Sequence, residues 1–85
     1  ILQNEIMPGV FKIGFTIQAP EDRASEITRE MKMPVPFEVA HSGETANPFE
    51  VEQAIHQELK ALCQGREFFT ADLDYLKQCV DKHLI

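Results

Sequence analysis

Pro8-Gly9-Val10-Phe11-Lys12-Ile13-Gly14-Phe15-Thr16 is the stretch on which the fold turns. Pro8 and Gly9 stand where a type II turn wants a fixed φ and then a residue free to take a positive one. Apolar Ile1 and Leu2 lie before the turn and the run 10–15 lies after it, so the segment reads as a β-hairpin. Alternation along that run sends Phe11, Ile13 and Phe15 to one face, and Val10, Lys12 and Gly14 to the other. The aromatic face is expected to be the core. Lys12 then projects from the opposite surface beside a residue with no side chain, which leaves open backbone in front of a cation.

Working outward, Thr16 to Ala19 is a connection, and Pro20 suits the first turn of a helix whose start carries Glu21 and Asp22. Ala24, Ile27 and Met31 form its apolar stripe, with Arg23 beside it. Met33-Pro34-Val35-Pro36 stops that helix, because proline cannot continue it and restricts the residue before it. Residues 37–42 alternate as a third strand, with Phe37, Val39 and His41 on one face. Asn47-Pro48-Phe49-Glu50 reads as a variant of the capping box and opens a helix to about Leu62, striped by Val51, Ile55, Leu59 and Leu62. Gln64-Gly65 ends it. Arg66-Glu67-Phe68-Phe69-Thr70 reads as a short aromatic connection, and Leu73, Leu76, Val80 and Leu84 mark a last amphipathic helix. The expected class is α+β: a small three-stranded antiparallel sheet flanked by helices in the order ββαβαα, with only the end of the first strand present.

At 85 residues the chain is expected to form one domain, too small for a paired dinucleotide fold or a barrel. Apolar residues make 44%, including six Phe, and charged residues 26%, so a core can be buried and disorder is excluded by composition. Eight Lys and Arg against 14 Asp and Glu leave a net charge of −6. Residues 1–32 hold four basic and five acidic residues, net −1, and residues 33–85 hold four and nine, net −5. Tight non-specific binding of a polyanion rests on a surplus of cations, so any phosphate site belongs to the first part. The two cysteines, Cys63 and Cys79, fall in segments that read as helix, which argues against a disulfide scaffold or a four-ligand zinc site. No apolar run approaches the roughly 20 residues that span a bilayer, and a reducing, cytoplasmic setting is expected, or the nucleoid or nucleus if the chain associates with DNA.

Each candidate residue also has an ordinary structural reading. Lys12 suits a sheet edge that must not aggregate, and Arg23 has Glu26 one helical turn away as a partner. His56 lies one turn after Glu52 and one before Lys60, as a surface ion-pairing histidine does. Glu67 precedes two phenylalanines, whose anchoring would hold its carboxylate more rigidly than most surface acids. His41 and His83 read as structural or surface residues, and Cys63 and Cys79 as small, partly buried ones.

Taken together, 8–16, then Pro20-Glu21-Asp22-Arg23, then Glu52-Gln53-Ala54-Ile55-His56, and then Gly65-Arg66-Glu67-Phe68-Phe69 resemble the GIY-YIG nuclease superfamily. The nearest branch is the phage and meiotically up-regulated gene type, with K-I-G where other members have Y-I-G. The resemblance implies metal-dependent hydrolysis of DNA phosphodiesters, with Mg²⁺ or Mn²⁺ as the single divalent cation. It implies that Lys12 works near the attacking water or scissile phosphate and that Gly14 lets backbone approach the substrate, with Thr16 beside it. Arg23 would neutralise phosphate charge, Glu67 would hold the metal, and His56 would match a histidine of this branch. Such residue types fit the chemistry, since a fixed guanidinium and a metal aimed at the phosphate stabilise the charge that builds there. The first motif's tyrosine would fall immediately upstream of Ile1, so the chain is expected to be a piece of a longer one. The asparagine that usually follows the metal glutamate has no clear match, and the acidic balance implies that DNA is engaged with help from another domain. A catalytically inactive DNA- or protein-binding module on the same fold is the alternative.

Overall fold

The turn closes as the sequence requires: the Val10 N–H donates to the Met7 carbonyl at 3.1 Å, and Gly9 takes φ +78°. In the computed structural model, which describes residues 1–84, this turn joins β1 (Leu2–Gln3) to β2 (Val10–Lys12) as antiparallel neighbours. Asn4 fixes the entry to the turn. It is buried, its Nδ2 donates to the Val35 carbonyl at 2.7 Å, and its Oδ1 accepts the Ile6 N–H at 3.1 Å.

Helix α1 (Pro20–Glu30) starts on its proline, as expected. The Thr28 hydroxyl donates to the Ala24 carbonyl and accepts the Phe37 N–H at 2.9 Å, tying the helix to the strand that follows the proline-rich stop. That strand, β3 (Glu38–Val39), is shorter than 37–42 and pairs with β1. Helix α2 (Pro48–Glu58) passes into a 3₁₀ turn (Lys60–Leu62), which splits the single long helix expected there. Asn47 occupies the N-cap position without a side-chain capping bond. Pro48 explains the tolerance, because it fills the first position with a residue that has no N–H to satisfy.

The segment expected to be a connection is a hairpin instead. Residues β4 (Cys63–Gly65) and β5 (Phe68–Thr70) pair with each other, β5 pairs with β2, and helix α3 (Leu73–His83) follows. The sheet therefore has five strands, in the order β3-β1-β2-β5-β4, all antiparallel, rather than three. The class remains α+β, with element order ββαβαββα apart from the 3₁₀ turn. Strands of three residues are too short to display a period of two, so only the edge that β2 offers gives them their state.

Both faces of this sheet are covered. Phe11 and Phe69 are cross-strand partners and lie in a core with Ile13, Ile55, Leu59, Leu76, Cys79 and Val80, beneath α2 and α3. The row Val39, Leu2, Lys12 and Phe68, joined by pairing, turns to the other side. There Ala24, Ile27 and Phe37 form a second core with Leu2, Val39 and Phe68 packed on it. The side of β2 expected to be open is thus roofed by α1. Phe15 is 42% exposed rather than core, because the strand ends at Lys12 and the alternation holds only as far as Ile13. Met31 is likewise exposed, standing at the C-cap of α1 instead of within its stripe. Among the described residues no helix is long and apolar enough to cross a membrane.

Candidate active site

After Lys12 the chain leaves the sheet, and the backbone groups of Ile13-Gly14-Phe15 lose their ladder partners on one side. Every buried peptide group needs a substitute. The Ile13 N–H finds the Glu67 carbonyl at 3.0 Å, across the hairpin. The other two partners come from one face of α2, at i and i+4. His56 Nε2 donates to the Ile13 carbonyl at 2.7 Å, and Glu52 Oε2 accepts the Phe15 N–H at 2.9 Å. Because a carbonyl can only accept, that contact requires the proton on Nε2 of His56. The pair of helix side chains clamps the segment and presents Gly14 outward.

Gly14 opens onto two carboxylates. A Cβ added there would stand 3.4 Å from Glu67 Oε2 and 3.6 Å from Glu52 Oε2. Glu67 is set by a tight turn, since Gly65 and Arg66 both hold positive φ, at +130° and +53°, directly before it. Its carboxylate forms an ion pair with Lys12, whose side chain is only 12% exposed and whose Nζ lies 5.4 Å from the centre of the Phe68 ring. Glu52 is a buried acid. Burial, and then the neighbouring Glu67 charge, push its carboxyl above the usual carboxylate range.

Lys12, Gly14, Thr16, Arg23, Glu52 and Glu67 line one broad open cleft. Arg23 reaches it from the first turns of α1 and is paired there with Glu26, with Glu30 at 3.8 Å. The Gln18 amide and that guanidinium hold the Glu26 carboxyl below its usual range. Thr16 accepts the Gln18 N–H at 3.1 Å through its hydroxyl, shaping the loop that forms the rim. Five of the six residues singled out from the sequence therefore share this cleft, and His56 does not line it. His56 lies behind the segment against Phe69, with ring centres 5.1 Å apart, where it supports Ile13.

Glu52 is the cleft residue that sequence reasoning passed over. It stood in the quoted Glu52-Gln53-Ala54-Ile55-His56 run, but only as an ion-pair partner for His56. Its burial depends on where Ile13-Gly14-Phe15 leaves the sheet, a tertiary fact. The signal available was the i, i+4 spacing of an acid and a histidine on a helix that must cover a strand end.

Among the described residues, one group has three candidate metal donors close together, and it lies outside the cleft: Glu58, Cys79 and His83. The cleft itself offers hard oxygen donors. It carries Lys12 and Arg23 against Glu26, Glu44, Glu52 and Glu67, so its lining is net negative. Two carboxylates facing one small opening, with one of them resisting ionisation, is an arrangement that a divalent cation stabilises.

The family model described as the T5orf172 domain matches residues 1–84. No curated protein and no solved structure matches the chain.

Proposed function

Since the chain belongs to the T5orf172 domain family, we propose that it is a nuclease module that hydrolyses DNA phosphodiester bonds in the cleft between α1 and the β4–β5 hairpin, with Mg²⁺ or Mn²⁺ as cofactor. The observation that carries this reading is that Lys12, Gly14, Arg23 and Glu67 line one cleft, with the Glu67 carboxylate facing Gly14 and paired with Lys12. A phosphate entering the cleft would find the Arg23 guanidinium and the Lys12 ammonium among its lining groups. Each cation now holds a carboxylate, Glu26 or Glu67, and would exchange it for phosphate oxygens. Arg23 is suited to grip two oxygens at once, and Lys12 acts as a point charge beside them. Gly14 adds no side chain of its own, so a group entering there meets the Glu67 and Glu52 carboxylates.

Glu67, with Glu52 behind it, would hold the divalent ion, and oxygen donors of this kind match Mg²⁺. When bound, the ion supplies charge stabilisation at the phosphate and an acidified water. The acidic lining also requires it, because without added positive charge the cleft repels a polyanion. His56 is a positioning residue in this scheme, acting through the Ile13 carbonyl. DNA outside the cleft is held with the help of another domain, since the −6 net charge gives this chain no general attraction for a duplex.

A second reading, a binding module without turnover, is favoured by one observation: the described residues that line the cleft include no tyrosine to activate water. Relaxation of supercoiled plasmid in Mg²⁺ and then Mn²⁺ separates the two. The nuclease reading expects relaxation by the parent and a loss of about 10²–10³-fold in both Glu67→Ala and Arg23→Ala. Absence of cleavage by the parent on plasmid, branched and single-stranded DNA would leave the binding module.

A further inference from the structure

On the side of the molecule built by α2 and α3, Cys79 and His83 occupy positions i and i+4 of one helix, so both side chains leave the same face. Glu58, the last residue of α2, meets them from across the helix–helix contact. Cys79 Sγ lies 3.1 Å from Glu58 Oε2, and His83 Nε2 lies 3.0 Å from Glu58 Oε1. One donor atom from each residue lies within 4.8 Å of the other two. Zinc bonds of about 2.3 Å to sulfur and about 2.0–2.2 Å to nitrogen and oxygen place tetrahedral donors roughly 3.3–3.7 Å apart. The three donors, already within 4.8 Å of one another, therefore need to close by at most about 1.5 Å to enclose an ion.

We propose that Glu58, Cys79 and His83 form a binding site for a soft or borderline divalent transition ion, with Zn²⁺ the match by donor type, which fastens the end of α2 to the end of α3. A thiolate, an imidazole and a carboxylate with a fourth position for water is a zinc donor set, and it is a poor one for Mg²⁺. The site is independent of the cleft, which none of the three residues lines. Cys79 is 4% exposed, so its sulfur is held by the core while Glu58 and His83 stand at the surface, giving the ion a route in. On binding, the Cys79 thiol proton leaves to solvent and His83 offers the lone pair of Nε2. The incumbent is Lys82, whose Nζ holds Glu58 Oε1 at 2.8 Å and must release it.

That competition makes the site testable. Titration of the chain with Co²⁺ is expected to give a thiolate-to-metal charge-transfer band that saturates at one ion per chain and is displaced by Zn²⁺. Cys79→Ser should abolish the band and Cys63→Ser should retain it. His83→Ala should weaken binding by more than about tenfold, and Lys82→Ala should tighten it severalfold by removing the competing cation. Glu67→Ala should leave the band unchanged, which separates this site from the cleft whatever the fate of the nuclease reading. No charge-transfer band at saturating Co²⁺, a band that survives Cys79→Ser, or an affinity that Lys82→Ala and His83→Ala both leave unaltered would overturn the proposal.

Discussion

Glu52→Gln isolates the electrostatics of the cleft. Glu67 Oε2 and Glu52 Oε2 stand 3.4 Å and 3.6 Å from one point, the Cβ position of Gly14, so the two oxygens are at most 7.0 Å apart. Two unit charges at that separation repel by about 0.6 kcal/mol in a water-like dielectric and about 2.4 kcal/mol at an effective value of 20. The Glu52 carboxyl is raised above 4.5 by burial and by Glu67, and this direction already includes the stabilising Phe15 hydrogen bond and the His56 and Lys12 charges. A raised acid favours the protonated folded form, so its contribution is most favourable at low pH and is lost as pH rises from about 4.5 through the folded value. Glutamine keeps an oxygen for the Phe15 N–H and carries no charge at any pH. At pH 8 without divalent ions the variant should be more stable by about 1 kcal/mol, or roughly 4–8 °C in Tm for a domain of this size. At pH 4 it should match the parent. Thermal and urea melts at the two pH values, in EDTA, read this directly. No gain at pH 8, or an equal change at both pH values, would refute the charge repulsion. Added Mg²⁺ should narrow the difference, because it stabilises only the protein that still has both carboxylates.

Leu76, on the inner face of α3, is wholly buried in the core, so Leu76→Ala should cost about 2–5 kcal/mol, a large share of a small domain's stability, measured by urea denaturation. At Gly9, φ is +78° with nothing within 4 Å of a Cβ, so Gly9→Ala should lose about 1–2 kcal/mol through backbone strain alone, and a neutral result would place the turn in another conformation. Thr28→Val removes both the Phe37 N–H partner and the bond to the Ala24 carbonyl at similar volume. A loss of about 1–3 kcal/mol is expected, with the Phe37 amide exchanging its hydrogen faster in NMR.

Local signals carried much of the fold. Pro8-Gly9 specified the turn, Pro20 and Pro48 the starts of two helices, and Pro34 the stop of the first, because proline and glycine act through steric limits that need no distant partner. The stripe of α3 was equally legible, since a helical period repeats often enough within 11 residues to be read, whereas Leu59 and Leu62 of the expected α2 stripe lie beyond the end of that helix. Lys12, Gly14, Thr16, Arg23 and Glu67, which line the cleft, were singled out through the resemblance of their motifs to a nuclease superfamily. Tertiary structure decided the rest. β4 and β5 are strands because β2 offers an open edge to a segment too short to declare itself, and that pairing places Glu67 opposite Ile13. The burial of Glu52, the role of His56 behind the cleft, and the meeting of Cys79 and His83 with Glu58 all depend on which helix faces which strand or helix. Such contacts join residues 21 to 43 positions apart, a range at which composition and periodicity carry no register.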